Sequence, residues 1–344
     1  MFEQLWKLLS GNSSKADAEP PVMTVEGPPP DEVTVGDRNR FGIASHITRY
    51  RGLPIVNWRE VDAWIYKLPF PHLQAEAWAE CELAWLLHLR DALGPGYRLD
   101  QIEGTSLVSS LEPELAHAAL LHMWHLREAI LCILPGIARV PQWGTDILLI
   151  LDDERLYYRY VSYYYPKKGE FSRSGAMFID KGCAHCVTVK SDLYVEERAI
   201  THEMVHSYLA YLPLPLWLNE GITVNVEGRP GPDRRHPEET RWMLDKHAAF
   251  WHGKEIQEFW SGKSFSRPGG SNVLSYDLAG MMVEELAKDW DAFSKFVLAA
   301  DRFDAGAGAA LKHMGIDLGE FVKYMLYKKS SANWSPDPKT CSDW

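Results

Sequence analysis

The stretch His202-Glu203-Met204-Val205-His206 constrains this chain more than any other. On a helix, residues four apart project from one face, so His202 and His206 can present two imidazole nitrogens to one metal ion. Glu203 lies about 100° round the helix from His202. Its carboxylate therefore stands beside such an ion rather than on it, within reach of a water proton. Ile200, Met204, Tyr208 and Tyr211 form one apolar stripe of the same segment, while Ala199, His202, His206 and Ala210 line another face. The polar triplet is thus expected to be buried. Buried imidazoles and carboxylates need partners, because unsatisfied polar groups are costly, and a metal ion with its water satisfies all three at once.

The pattern is the H-E-x-x-H motif of zinc hydrolases. Pro213 and Pro215 stop the helix and force a turn. Residues 217–224 then read as the start of a second helix packing back on the first. Together, H-E-x-x-H and Trp217-Leu218-Asn219-Glu220-Gly221 resemble the gluzincin metallopeptidases, which include aminopeptidase N-like enzymes and bacterial peptidase MA-like domains. The metzincin pattern does not fit, since it needs a glycine where Leu209 stands and a histidine where Leu212 stands. The resemblance implies that Glu220 is the third ligand of a Zn²⁺ ion held with His202 and His206, and that Glu203 is the general base. It continues in Ser275–Val283, which is similar to the segment carrying a transition-state-stabilising tyrosine in aminopeptidase N-like enzymes. That match falls on Tyr276 at the start of a helix, with His236 and His252 as weaker candidates. Asn219 and Thr223 either orient the ligands or satisfy the local backbone. The likeness covers about residues 145–325. The gap to Glu220 is shorter than in the aminopeptidases and their G-x-M-E-N motif is absent, so aminopeptidase specificity is not implied.

A chain of 344 residues with 46% apolar residues and 14 tryptophans has material for a substantial core. Its net charge of −11 argues against a nucleic-acid partner. Five cysteines, Cys81, Cys132, Cys183, Cys186 and Cys341, show no disulfide spacing, which fits a reducing compartment. Cys81 and Cys132 sit in apolar helical runs and are expected to be buried thiols. Cys183 and Cys186 form a single C-x-x-C with no second pair, and strand geometry makes joint ligation awkward. No secretory signal and no membrane-length apolar run is evident, so the expected localisation is cytoplasmic.

Taken in order, residues 1–40 read as a disordered N-terminal segment: a short amphipathic helix at 1–9, then a proline-rich linker. Residues 41–140 read as a mainly helical region, with helices over 75–93 and 115–134. His117, His122 and His125 in the latter are expected to be structural. Residues 141–329 form the expected catalytic domain, and 330–344 a poorly ordered tail. Within that domain, 146–151 is a buried strand, 174–180 and 184–189 are paired strands, and 156–165 carries six tyrosines for packing. Helices are expected at 241–252, 276–300 and 309–328, with a loop over 261–275. Either paired strand could present its edge to a substrate backbone.

The expected fold class is α+β: a zincin-like metallopeptidase domain of a small sheet and active-site helices, preceded by the helical region. The expected function is a zinc-dependent peptidase acting on peptide or protein substrates. Two alternatives stay open: a zinc hydrolase of a non-peptide substrate, and a catalytically silent zincin-fold binding module.

Overall fold

Residues 19–166, 175–191, 193–228, 237–267 and 271–341 are described by the computed structural model of the chain. The expected helix at 1–9 and His236 lie outside the described residues. The architecture is mixed α and β, in two compact units assembled from separate stretches. One takes in the described residues up to 129 together with 140–208. The other takes in 130–139 and the described residues from 209 onward.

The first unit begins with β1 (Met23–Thr24), β2 (Val33–Val35), β3 (Asn39–Phe41), β4 (Ile47–Tyr50) and β5 (Leu53–Val56). Helices α1 (Trp58–Ile65) and α2 (Pro71–Leu93) follow, then β6 (Arg98–Ile102), β7 (Thr105–Ser109) and α3 (Pro113–Ile133). The remaining elements are β8 (Asp146–Leu151), α4 (Glu154–Tyr164), β9 (Ala176–Ile179), β10 (His185–Val189) and α5 (Leu193–Leu209).

Six of these strands form one mixed sheet in the order β1-β6-β7-β8-β10-β9. The central strand β8 runs parallel to both neighbours, β7 and β10. All six of its residues are buried. A strand with parallel partners is covered on both faces, which is why residues 147–151 are an uninterrupted apolar run rather than an alternation. Strands β9 and β10 pair, as expected; the pairing is antiparallel with Phe178 opposite Cys186, and β9 is the edge. Strands β6 and β7, from the stretch expected to be mainly helical, belong to this same sheet.

One face of the sheet packs on the main core. Ile147, Leu149, Leu151 and Val187 join Trp85 and Leu89 of α2 and Tyr157, Tyr160 and Val161 of α4. In α4 the buried tyrosines Tyr157, Tyr160 and Tyr164 recur at helical spacing, so half of the tyrosine run is core.

Residues 19–40 correct the linker expectation: they carry β1, β2 and β3. Val33 and Val35 alternate into the core around exposed Thr34, while β1 pairs with β6. The intervening proline segment is tied to α2, where Arg90 Nη1 donates to the Val25 carbonyl at 2.9 Å and Arg90 Nη2 to the Gly27 carbonyl at 2.6 Å. Alternation over three residues is too short to stand out against a proline-rich background. Cys132 is exposed rather than buried, and all five cysteines are free thiols.

The second unit is helical. Its elements are α6 (Leu216–Glu227), α7 (Pro237–Phe250), α8 (Gly253–Trp260), α9 (Ser271–Leu286), α10 (Trp290–Ala299), α11 (Ala307–Met314), α12 (Leu318–Met325) and α13 (Pro338–Cys341). Helices α6 and α9 cross very closely. A Cβ on Gly221 would lie 2.6 Å from the Ala279 carbonyl oxygen. Asn225 Nδ2 bridges the crossing, donating to the Gly221 carbonyl at 2.7 Å and to the Gly280 carbonyl at 2.8 Å. The glycine after Glu220 is therefore a packing requirement.

The tail is also corrected. Trp334 is buried and its carbonyl accepts from Trp260 Nε1 at 2.7 Å, while Gln257 Nε2 donates to the Ser335 carbonyl at 2.9 Å. Among the described residues, no helix is long and apolar enough to cross a membrane.

Candidate metal centre and the buried acids around it

Helix α5 carries the H-E-x-x-H residues. Ile200, Met204 and Tyr208 are buried as one stripe, as expected, whereas Tyr211 lies past the helix end and is substantially exposed. Its hydroxyl donates to the Ile137 carbonyl at 2.6 Å. Within the first unit α5 is anchored through Tyr208, whose hydroxyl donates to Asp146 Oδ2 of β8 at 2.8 Å. His122 of α3 lies 3.4 Å from Thr201 Oγ1, and burial lowers its pKa, which suits the structural role expected of it.

His202 and His206 are half-buried and Glu203 is buried. The two Nε2 atoms lie 3.1 Å apart, with the rings nearly perpendicular at 80°. With metal–nitrogen bonds of about 2.0–2.1 Å and tetrahedral angles, two imidazole nitrogens on one zinc sit about 3.3 Å apart. The observed separation is close to that value. It also suits a single N–H···N hydrogen bond between neutral rings, so the pair is compatible with either arrangement.

Glu203 acts on its surroundings by charge. Cys186 is paired in register with Leu148, so it faces away from the main core cluster, and burial followed by the charges of Glu203 and Asp146 pushes its thiol well above the ordinary range. Cys183 belongs to the opposite, core-facing side and lies 3.8 Å from Glu82 Oε2. Cys183 lies in the turn before β10 and Cys186 within that strand, and both line one cavity.

Glu220 and Tyr276 belong to the second unit. Glu220 is buried on α6. Pro215 stands at the helix N-cap, and Thr223 Oγ1 donates to the Asn219 carbonyl at 2.9 Å, so the Thr223 hydroxyl serves the helix backbone. Tyr276 is not at a helix start: α9 begins at Ser271, which puts it in the second turn, half-buried and edge-on to Phe265 at 5.1 Å. The serine- and glycine-rich run before it predicts a loop, but Ser271-Asn272 can open a helix as readily as extend a loop. His252 is exposed at the N-cap of α8 and makes no side-chain cap.

Glu82, Asp100 and Asp146 are buried acids that no sequence motif marks, and two of them, Glu82 and Asp146, have raised pKa values. Glu82 on α2 is 3% exposed; its Oε1 accepts from the Thr145 amide at 3.1 Å and from Thr145 Oγ1 at 2.5 Å. Desolvation raises its pKa to about 7 against these stabilising hydrogen bonds. Asp146 is raised by burial in the same way, opposed by Tyr208 and Arg127. Glu80 and Glu76 precede Glu82 on the same helix, so no local signal marks Glu82 as the buried one. His185 is buried and neutral: its Nδ1–H donates to the Cys183 carbonyl, Nε2 accepts from the Tyr160 hydroxyl at 2.8 Å, and burial lowers its pKa to about 4.

No protein-family model, no curated protein and no solved structure matches this chain.

Proposed function

We propose that this protein is a zinc-dependent peptidase of gluzincin type on a zincin-like fold, hydrolysing bonds in peptide or protein substrates. The observation that carries the reading is the 3.1 Å approach of the His202 and His206 Nε2 atoms, one helical turn apart, beside buried Glu203. The proposed ligand set is His202 and His206 with Glu220 as the third ligand, the assignment that the resemblance to gluzincins implies. Two neutral imidazoles and one carboxylate form a donor set suited to Zn²⁺ with a coordination position left open.

Zinc held there would supply Lewis acidity and lower the pKa of a bound water towards about 7. Glu203 takes the proton from the attacking water and passes it to the leaving amine, a contribution worth about 10²–10⁴-fold. Tyr276 is the proposed donor to the developing oxyanion. The edge strand β9 offers a row of backbone groups to which an extended substrate can add as a further strand.

Elemental analysis combined with cleavage of a mixed peptide pool tests the proposal. Glu203→Gln is expected to retain zinc and lose at least about 10²-fold of turnover. Undiminished zinc in a chain lacking both His202 and His206 would refute the ligand set. Stoichiometric zinc with no peptide cleaved would instead favour a zinc hydrolase of another substrate class or a catalytically silent binding module.

A further inference from the structure

The first unit holds a cavity of about 180 Å³, lined from α2, β8, the turn between β9 and β10, and α5. The peptidase reading does not use it. Trp78 and Trp143 form one wall, with ring centroids 6.0 Å apart and planes inclined at 41°. Met123 and Phe178 supply apolar surface. The carboxyl-bearing residues are Glu82 and Asp146, and among the described residues no lysine or arginine lines the cavity.

The two acids are not equivalent. Asp146 has Arg127 at 3.9 Å as well as the Tyr208 hydroxyl. The donors to Glu82 are the neutral groups of Thr145, Cys183 and Trp78. These hold its carboxyl in place without a counter-charge. The chain around it is closely fitted, since a Cβ on Gly144 would lie 2.2 Å from Glu82 Oε2 and 2.8 Å from Trp78 Nε1. A buried carboxylate with neutral partners alone is costly, and a cation entering the cavity removes that cost. Aromatic faces add attraction through their quadrupoles, most strongly where water is excluded.

We infer that this cavity is a binding site for a small organic cation, an ammonium or guanidinium group on a short apolar stem, with Trp78 and Trp143 as its walls and Glu82 as its counter-ion. The site stands whether or not the metal centre acts as a peptidase. A neutral apolar guest fits less well, because it leaves the carboxyl without a counter-charge.

Calorimetric titration of the full chain with benzylammonium and with benzyl alcohol separates the two. The cation is expected to bind at least about tenfold tighter than the alcohol, and Glu82→Gln and Trp143→Ala are each expected to weaken it about tenfold. Circular dichroism checks that both variants keep the native spectrum. Equal binding of the alcohol, no binding of the cation, or cation binding unchanged in both variants would overturn the site. Should Glu82→Gln fail to fold, Trp143→Ala and the comparison of the two probes on the unaltered chain decide the matter.

Discussion

Replacing Gly221 by alanine tests whether the glycine following Glu220 serves helix packing. The added Cβ would sit 2.6 Å from the Ala279 carbonyl oxygen, 2.9 Å from its carbonyl carbon and 2.7 Å from Val283 Cγ2. Cβ atoms essentially never approach within 3.0 Å, so α6 and α9 must part by at least about 0.4 Å, the difference between 3.0 and 2.6 Å. That movement also pulls on the bond from Asn225 Nδ2 to the Gly280 carbonyl, now 2.8 Å. Overpacking costs about 1–3 kcal/mol, and the upper half applies because the obstacle is backbone rather than a mobile side chain. Alanine returns about 1 kcal/mol over glycine in a helix, leaving a net loss of about 1–2 kcal/mol. Urea denaturation followed by tryptophan fluorescence measures it, in the presence of a chelator so that metal binding at the neighbouring Glu220 does not enter. Gly280→Ala, whose Cβ would meet the Val224 side chain at 3.0 Å, should cost less. Gly253→Ala, with nothing within 4 Å, should be neutral or stabilising. A Gly221→Ala chain as stable as the unaltered protein, with an unchanged denaturant slope, would refute the packing argument.

Two further outcomes follow from buried groups. The folded chain holds the Glu82 pKa at about 7 against an ordinary value of 4.5, so the stability linked to its protonation is present below pH 4.5 and lost as pH rises through 7. The span is worth about 3 kcal/mol, and Glu82→Gln should flatten unfolding free energy between pH 5 and 8 by about that amount; identical pH profiles would contradict it. Trp334→Ala should lower the thermal midpoint of the second unit, since emptying a fully buried tryptophan site costs about 3–5 kcal/mol, and an unchanged midpoint would mean that the tail is not part of the fold.

The residues of the candidate centre were legible because each signal is local. The spacing of His202 and His206 has meaning only on a helix, and the apolar stripe of Ile200, Met204 and Tyr208 has the same period and is buried. The run Asp146–Leu151 and the pairing of β9 with β10 were legible for the same reason. Tyr276 was read at the wrong place in its helix because residues 271–275 are compatible with loop and with helix, and the packing of Leu274 and Ser275 into the core decided between them.

Periodicity and turn chemistry by themselves determined that helix α5 exists, which of its side chains share a face, and that a buried strand and a hairpin precede it. Only the tertiary structure decided that Val33, Val35 and Trp334 are core, that Cys132 is exposed, and that Glu82 and Asp146 are buried beside one aromatic-walled cavity. The physical reason is range. A helical or strand pattern is set by neighbours within a few residues, whereas the burial of Glu82 depends on Thr145 and Cys183, 63 and 101 positions along the chain, being folded against it.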